Sequence, residues 1–282
     1  MKPLGKNRWI RCSAIALAVV AIPVVALIVA SLFVALPPEL AATGQYSESI
    51  EFVDRDGLVL REVRADDATR ARWVTLDEVG ETAANALLAA EDRRFYGHGG
   101  VDPVAVVRAA GSAVLHRRVV SGASTITMQL SRLVHPHRRT AFEKFREMAL
   151  AVRIERSLSK RRILEEYVNR APFGPSLRGL DAASRYYFDK RPSQLSLAEA
   201  ATLAAIPRGP DLYAPQKHPE RVLRRRDRVL ERMYSAGFID VEARDRAKAE
   251  PLELRTVRGS FGAPHLIDAL LGGRLDGPLD PS

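Results

Sequence analysis

Two glutamates are the side chains best placed to do chemistry. Glu91 closes the apolar run in "ALLAAEDRRFYGHGG", residues 86–100, where a carboxylate pair, two arginines, two aromatics and a histidine crowd together before a glycine pair. An apolar helix would hold its backbone while the side chain approaches a loop, which suits general acid or base work. A surface ion-pair cluster of Glu91, Asp92, Arg93 and Arg94 is the plainer alternative. Glu147 lies in "TAFEKFREMALAVRIE", residues 140–155. Phe142, Phe145, Met148, Ala149 and Val152 form the main apolar face of this amphipathic helix. Glu147 is off that face, yet Leu150 and Ala151 follow one turn on and Lys144 precedes it by one turn. Two glutamates on separate helices with cations nearby can serve reaction at a sugar anomeric carbon. A solvated Lys144–Glu147 pair is the competing reading. Between them, "SGASTITMQLSR", residues 121–132, offers hydroxyls and bare N–H groups at a helix start, as an anion site needs.

The chain that carries these groups has 282 residues, 46% hydrophobic and 27% charged, which excludes a disordered polypeptide. A net charge of +9 favours polyanionic partners. The single cysteine, Cys12, excludes an internal disulfide and a cysteine-based metal cluster. No charge occurs from Cys12 to Pro38, and 13–36 is long enough as a helix to cross a hydrocarbon core of about 30 Å. Lys2, Lys6, Arg8 and Arg11 precede it, so residues 1–12 are expected to stay cytoplasmic and everything after residue 40 to lie outside. A cleaved signal peptide would have a shorter apolar core of about 7–15 residues. An exported domain makes nucleic acid an improbable partner and directs the basic surface toward lipid head groups or a lipid-linked phosphate.

Residues 37–49 read as a linker, and "SIEFVDRDGLVLREV" as a small hairpin around Asp56-Gly57. Beyond Thr75 the pattern is helical. Thr75 with Glu78, Thr140 with Glu143, and Ser196 with Glu199 form capping-box patterns, the first ahead of one helix through "VGETAANALLAAEDRRF". Asp102-Pro103 and His218-Pro219 open further helices, Gly237 closes the latter, and Asp240 begins a short one. Loops at 97–100, 172–175 and 207–215 are rich in glycine and proline. The basic run "RVLRRRDRVLERM" reads as a solvated helix face. His135 and His137 flank Pro136 without a third ligand, so no zinc site is expected and no metal ligands are assigned.

Five ordered motifs, "EDRRFYGHGGVD", "GASTITMQL", "KFRE", "ILEEYVNRAPFG" and "RGLDAASRYYFDK", resemble the peptidoglycan glycosyltransferases of family 51. This is the transglycosylase domain of class A penicillin-binding proteins, most similar in its 1C-type branch, and the resemblance covers about residues 45–270. It implies a mainly α, lysozyme-like, two-lobed domain (here 50–255, with 256–282 as a tail), the smaller lobe dipping into the membrane. It also implies polymerisation of lipid II with inversion and release of undecaprenyl pyrophosphate, at the bacterial inner membrane with the catalytic domain outside. By resemblance Glu91 is the general base and Glu147 the second catalytic glutamate, the two converging on one cleft. Asp92, Phe95, His98, Ser124, Thr125, Gln129, Arg132 and Lys144 match substrate-binding positions. The implied partners are lipid II, the nascent glycan strand, the membrane and cell-wall synthesis proteins. No cofactor is required, though a divalent cation, magnesium or manganese, is allowed at the pyrophosphate.

Ser121 and Met128 stand where many members have glutamine, and Glu143 where many have arginine. "SLSK", residues 157–160, imitates the Ser-x-x-Lys of penicillin-binding domains, but no Ser-x-Asn or Lys-Thr-Gly follows, so it reads as coincidence. The alternatives are a glycan-cleaving enzyme on a lysozyme-like scaffold and a non-catalytic envelope scaffold left from a bifunctional protein.

Overall fold

The structure, a computed structural model, describes residues 22, 24–41, 49–53, 55, 59–64, 69–116, 123–138 and 140–254. In chain order the elements begin with α1 (24–33) and α2 (Pro38–Ala41), then β1 (Ile50–Val53), β2 (Val59–Val63) and β3 (Arg70–Ala71). There follow α3 (Leu76–Val79), α4 (Glu81–Glu91), a 3₁₀ turn at Phe95–Gly97, α5 (Pro103–His116), α6 (Ile126–Val134), α7 (Ala141–Ser157) and α8 (Lys160–Arg170). The chain then forms β4 (Pro172–Gly174), β5 (Leu177–Arg178), α9 (Leu180–Phe188), α10 (Leu197–Ala205), α11 (Pro219–Ser235) and α12 (Val241–Ala249). The protein is mainly helical, as the sequence pattern requires. It divides into two compact units, one of Met1–Thr43 with Arg94–Tyr167 and one of Gly44–Arg93 with Val168–Ser282.

The second unit holds α4 against α10 and α11, with Leu87, Leu203, Val229 and Leu230 buried in its core. Its helix starts follow the caps written in the sequence. Thr75 accepts from the Glu78 N–H while Glu78 returns a bond to the Thr75 backbone, and Ser196 and Glu199 do the same for α10. The single helix expected from Thr75 to Phe95 is two, because Gly80 adopts φ +77° and separates α3 from α4. β1 and β2 pair antiparallel with Ile50 opposite Val63, which is the expected hairpin. A second sheet, β3-β5-β4, was not legible in the sequence. It converts the expected 172–175 loop into a strand, and β3 runs parallel to β5 although the two are distant in the chain. Buried Asn169 stitches this region, accepting from the Val74 N–H and donating to the Val74 carbonyl, both at 2.8 Å.

The first unit packs α6 against α7. Here the expected orientation of α7 is corrected. Phe142, Phe145, Met148 and Val152 are not buried, and Phe142 is 68% exposed. Of the expected face only Ala149 enters the core, beside Glu147, Leu150, Ala151 and Ile154. Periodicity locates an apolar stripe but does not say whether protein or another apolar phase covers it. Only half of the Thr140–Glu143 capping box forms: Thr140 accepts from the Glu143 N–H, while Glu143 turns its carboxylate to Arg146. The N-terminal span 13–36 lies partly outside the described residues, and among those described no helix is long and apolar enough to cross a membrane.

Candidate functional site

In the second unit Glu91 is the last residue of α4, held there by buried Leu87, Leu88, Ala89 and Ala90. The helix end is capped from outside. Arg232 of α11 donates to the Ala90 carbonyl at 2.7 Å, and the Asp92 N–H returns to the Leu88 carbonyl at 2.8 Å. Such bonds satisfy carbonyls that a helix terminus leaves open. Arg225, seven residues before Arg232 on α11, is 5% exposed and stacks over Tyr213 at 5.4 Å from the ring centroid. Burial, and then the charge of Arg208, hold its guanidinium below the usual arginine value, with Glu91 opposing. Arg232 is lowered in the same way by burial and then by Arg225, Arg208 and Arg93, again with Glu91 opposing. Glu91 therefore sits within electrostatic reach of several arginines, a setting that attracts an anionic substrate.

This corrects the reading of the basic run as a solvated face. Arg226 is buried too, donating to the Lys248 and Glu250 carbonyls at 2.8 Å each. A charge count along a helix carries no trace of an aromatic ring or a carbonyl pair contributed by another segment.

In the first unit Glu147 is 3% exposed and its carboxylate faces Lys144 and His137. Lys144 Nζ lies 2.6 Å from Oε1 and also donates to Ser124 Oγ at 2.9 Å. Three candidates from two motifs thus meet at one ammonium group. The His137 Nε2 atom lies 3.5 Å from the other oxygen, Oε2. Glu147 lines a cavity of about 570 Å³ together with the 33–39 segment, Ser131 and Val134 of α6, His135 and His137, and Glu143, Arg146 and Leu150 of α7.

The remaining candidates divide between contact and support. Thr125 caps α6 through the Met128 N–H and donates to the Gly100 carbonyl, so its hydroxyl is occupied within the protein. Gly100 has φ +95°, and a Cβ there would fall 2.7 Å from the Ala151 carbonyl oxygen. The glycine is required for the close approach of this loop to α7. Phe95 is buried, with Lys160 Nζ 4.3 Å from its ring centroid. The same ammonium donates to the His98 carbonyl at 2.6 Å and to Glu155 at 2.8 Å. Phe95 and Thr125 therefore help to hold the frame of this region. Gln129 accepts from Tyr167 at 3.3 Å, and Arg132 is half-buried near the end of α6. Asp92 is buried beside Glu91 at the helix end. Met128 is buried in the α6 core, and Ser121 lies outside the described residues.

"SLSK" spans the junction of α7 and α8. Ser157 ends α7 and donates to the Arg153 carbonyl at 3.0 Å, while Lys160 is fully engaged as described. A lysine held by a carboxylate, a carbonyl and a ring is no base for Ser157. Among the described residues no group of three or more His, Cys, Asp or Glu side chains could hold a metal ion.

The transglycosylase family model matches residues 56–234, ending in the last turn of α11, and so contains both glutamates and every candidate beside them. Penicillin-binding protein 1A of Aquifex aeolicus is 44% identical over 184 residues, 65% of this chain and 25% of that protein. Penicillin-binding protein 1C of Escherichia coli is 42% identical over 220 residues, 78% of this chain and 29% of that protein. The chain spans between a quarter and three tenths of the length of these two relatives.

Proposed function

We propose that this chain, which belongs to the transglycosylase family, is a peptidoglycan glycosyltransferase that polymerises lipid II into glycan strands. The supporting observation is the Ser124–Lys144–Glu147 network, in which a half-exposed ammonium is held between a hydroxyl and a buried carboxylate. Glu91 takes the proton from the acceptor's 4-hydroxyl, and that oxygen attacks C1 of the donor sugar with inversion. The bond from C1 to the pyrophosphate oxygen breaks as the new glycosidic bond forms, and undecaprenyl pyrophosphate leaves. Lys144 and Arg132 meet the charge that grows on the leaving group, and Glu147 keeps Lys144 in place. Fixed charges of this kind stabilise a transition state without reorganising. Any divalent cation would arrive with the pyrophosphate and add charge there.

The expected architecture is lysozyme-like, anchored in the bacterial inner membrane through 13–36 with the catalytic units outside. Exposed apolar side chains of the first unit, among them Phe33, Val107 and Phe142, favour a membrane-facing side. The test is turnover of fluorescent lipid II by the purified chain. Wild type is expected to lengthen polymer, and Glu91→Gln to lose at least about a hundredfold in rate. Shortening of polymer would establish a hydrolase instead, and inertness of the wild type would leave a scaffold.

A further inference from the structure

Lys160 belongs to no candidate set above, yet bonds from two of the site's motifs run to it. It opens α8, and its ammonium carries three donors. One bond goes to the His98 carbonyl at 2.6 Å and one to Glu155 Oε1 at 2.8 Å, while the Phe95 ring centroid lies 4.3 Å away. The Phe95 ring in turn meets the His98 imidazole edge to face, with centroids 6.4 Å apart and planes at 83°. Lys160 therefore acts on the placement of His98 twice, through its backbone and through the ring beside it. Glu155 carries the linkage onward, since its Oε1 also accepts from Thr127 Oγ1 at 2.5 Å. Two residues earlier, Thr125 donates to the Gly100 carbonyl at 2.5 Å. The 95–100 turn is thus tied to the start of α6 twice, directly by Thr125 and indirectly through Lys160 and Glu155.

We infer that Lys160 is a positioning residue of the glycosyl-transfer site: it clamps the 95–100 turn to α6 and α7 and so fixes the direction of His98. The kinetic consequence rests on the proposed function, the clamp on bond geometry alone. Phe95 and Thr127 are buried, and the Glu155 and Lys160 side chains are only 7% and 24% exposed, so water competes poorly for these bonds. With its donors directed at protein groups, the ammonium acts on a substrate only through the turn. A neutral side chain of similar length leaves the Glu155 carboxylate to Thr127 and the Phe95 ring without its cation. In the proposed reaction His98 is a substrate contact made in ground and transition states alike. A loosened turn therefore raises KM more than it lowers kcat.

Hydrogen exchange of the full chain in detergent micelles, read by mass spectrometry, tests the clamp without any substrate. Amides of 95–100 are expected to exchange at least about fivefold faster in Lys160→Gln, with those of α10 and α11 unchanged. Lys160→Arg, which keeps a charged donor, recovers most of the protection. Unchanged exchange over 95–100, or an equal rise throughout the chain, overturns the inference whatever the activity. At a temperature where the variant is folded, Lys160→Gln is expected to raise KM for lipid II about tenfold with kcat within about threefold. On a His98→Ala background the same substitution adds less than about twofold, because its effect runs through that side chain. Fully additive losses overturn the positioning role, since a merely structural lysine would cost as much on either background. If Lys160→Gln does not fold, Thr127→Val removes the outer tie alone and is expected to show the same local pattern at smaller size. A Thr127→Val chain that exchanges and turns over like wild type then overturns the inference. A wild type that never consumes lipid II overturns the glycosyltransferase reading, and hydrogen exchange still decides the clamp.

Discussion

A carboxylate with almost no exposed surface is stable only where its partners are in place, and Glu147 has a lysine and a histidine at its two oxygens. Removing one partner leaves a buried charge short of compensation. Lys144→Met is therefore expected to destabilise the protein by about 2 kcal/mol, reduced from the fully buried case because Lys144 is partly exposed. The added substitution Glu147→Met should recover part of that loss without restoring activity. Thermal unfolding of the single and double variants measures both. If Lys144→Met unfolds at the wild-type temperature, the lysine is not holding the carboxylate. Ser157 makes the opposite case, a serine with no base beside it, and a fluorescent penicillin is expected to leave no adduct on it. At this scale the sequence was most legible where spacing within one helix sufficed. Lys144 and Glu147, three residues apart on α7, had to be neighbours. His137 could not be read the same way, because Pro136 breaks the periodicity before it and only the path of the loop brings it back to α7. Arg225 was hidden for a related reason, since a ring contributed by Tyr213 leaves no mark on the sequence around it.

Among the elements, the helix starts were legible because a cap is a local bargain among four residues. The box at α3 shows the consequence. Bonds from the Thr75 backbone and hydroxyl hold the Glu78 carboxyl below the ordinary glutamate value of 4.5. A depressed carboxyl adds stability above its unfolded pKa, and that stability is lost as pH falls through the folded one. Glu78→Gln is thus expected to lower the unfolding temperature at neutral pH, with the difference from wild type vanishing in acid, below the usual glutamate range. Thr75→Ala should cost about 1 kcal/mol at neutral pH. A gap between wild type and Glu78→Gln that persists unchanged into strong acid would show that the carboxylate charge is not what the box uses. The β3-β5-β4 sheet lay beyond sequence reading for the converse reason. Its strands are two or three residues long, too short for an alternating pattern, and β3 pairs with a strand more than a hundred positions away. Asn169 and the positive φ of Gly179, whose Cβ would fall 2.9 Å from the Asn169 carbonyl oxygen, are what make the pairing possible.

For the whole molecule the telling contrast is between a well-packed interior and the large apolar side chains left exposed on helices of the first unit. Phe33 is 84% exposed, Val107 71% and Phe142 68%, and all three belong to the first unit. Exposed residues seldom carry folding stability, so changing them should leave the fold within about 0.5 kcal/mol of wild type. If they rest in a bilayer interface, a charge on them is costly only when a bilayer is present. Val107→Glu with Phe142→Glu is therefore expected to unfold at nearly the wild-type temperature and to turn over lipid II normally in detergent micelles. In lipid vesicles the same variant should lose several-fold in rate, and more so in anionic vesicles, where the added carboxylates also oppose the attraction of a +9 chain to the surface. Raising salt should narrow the extra loss seen in anionic vesicles by screening, while the loss in neutral vesicles stays. An equal loss in micelles and vesicles would mean that these side chains touch the substrate rather than the membrane.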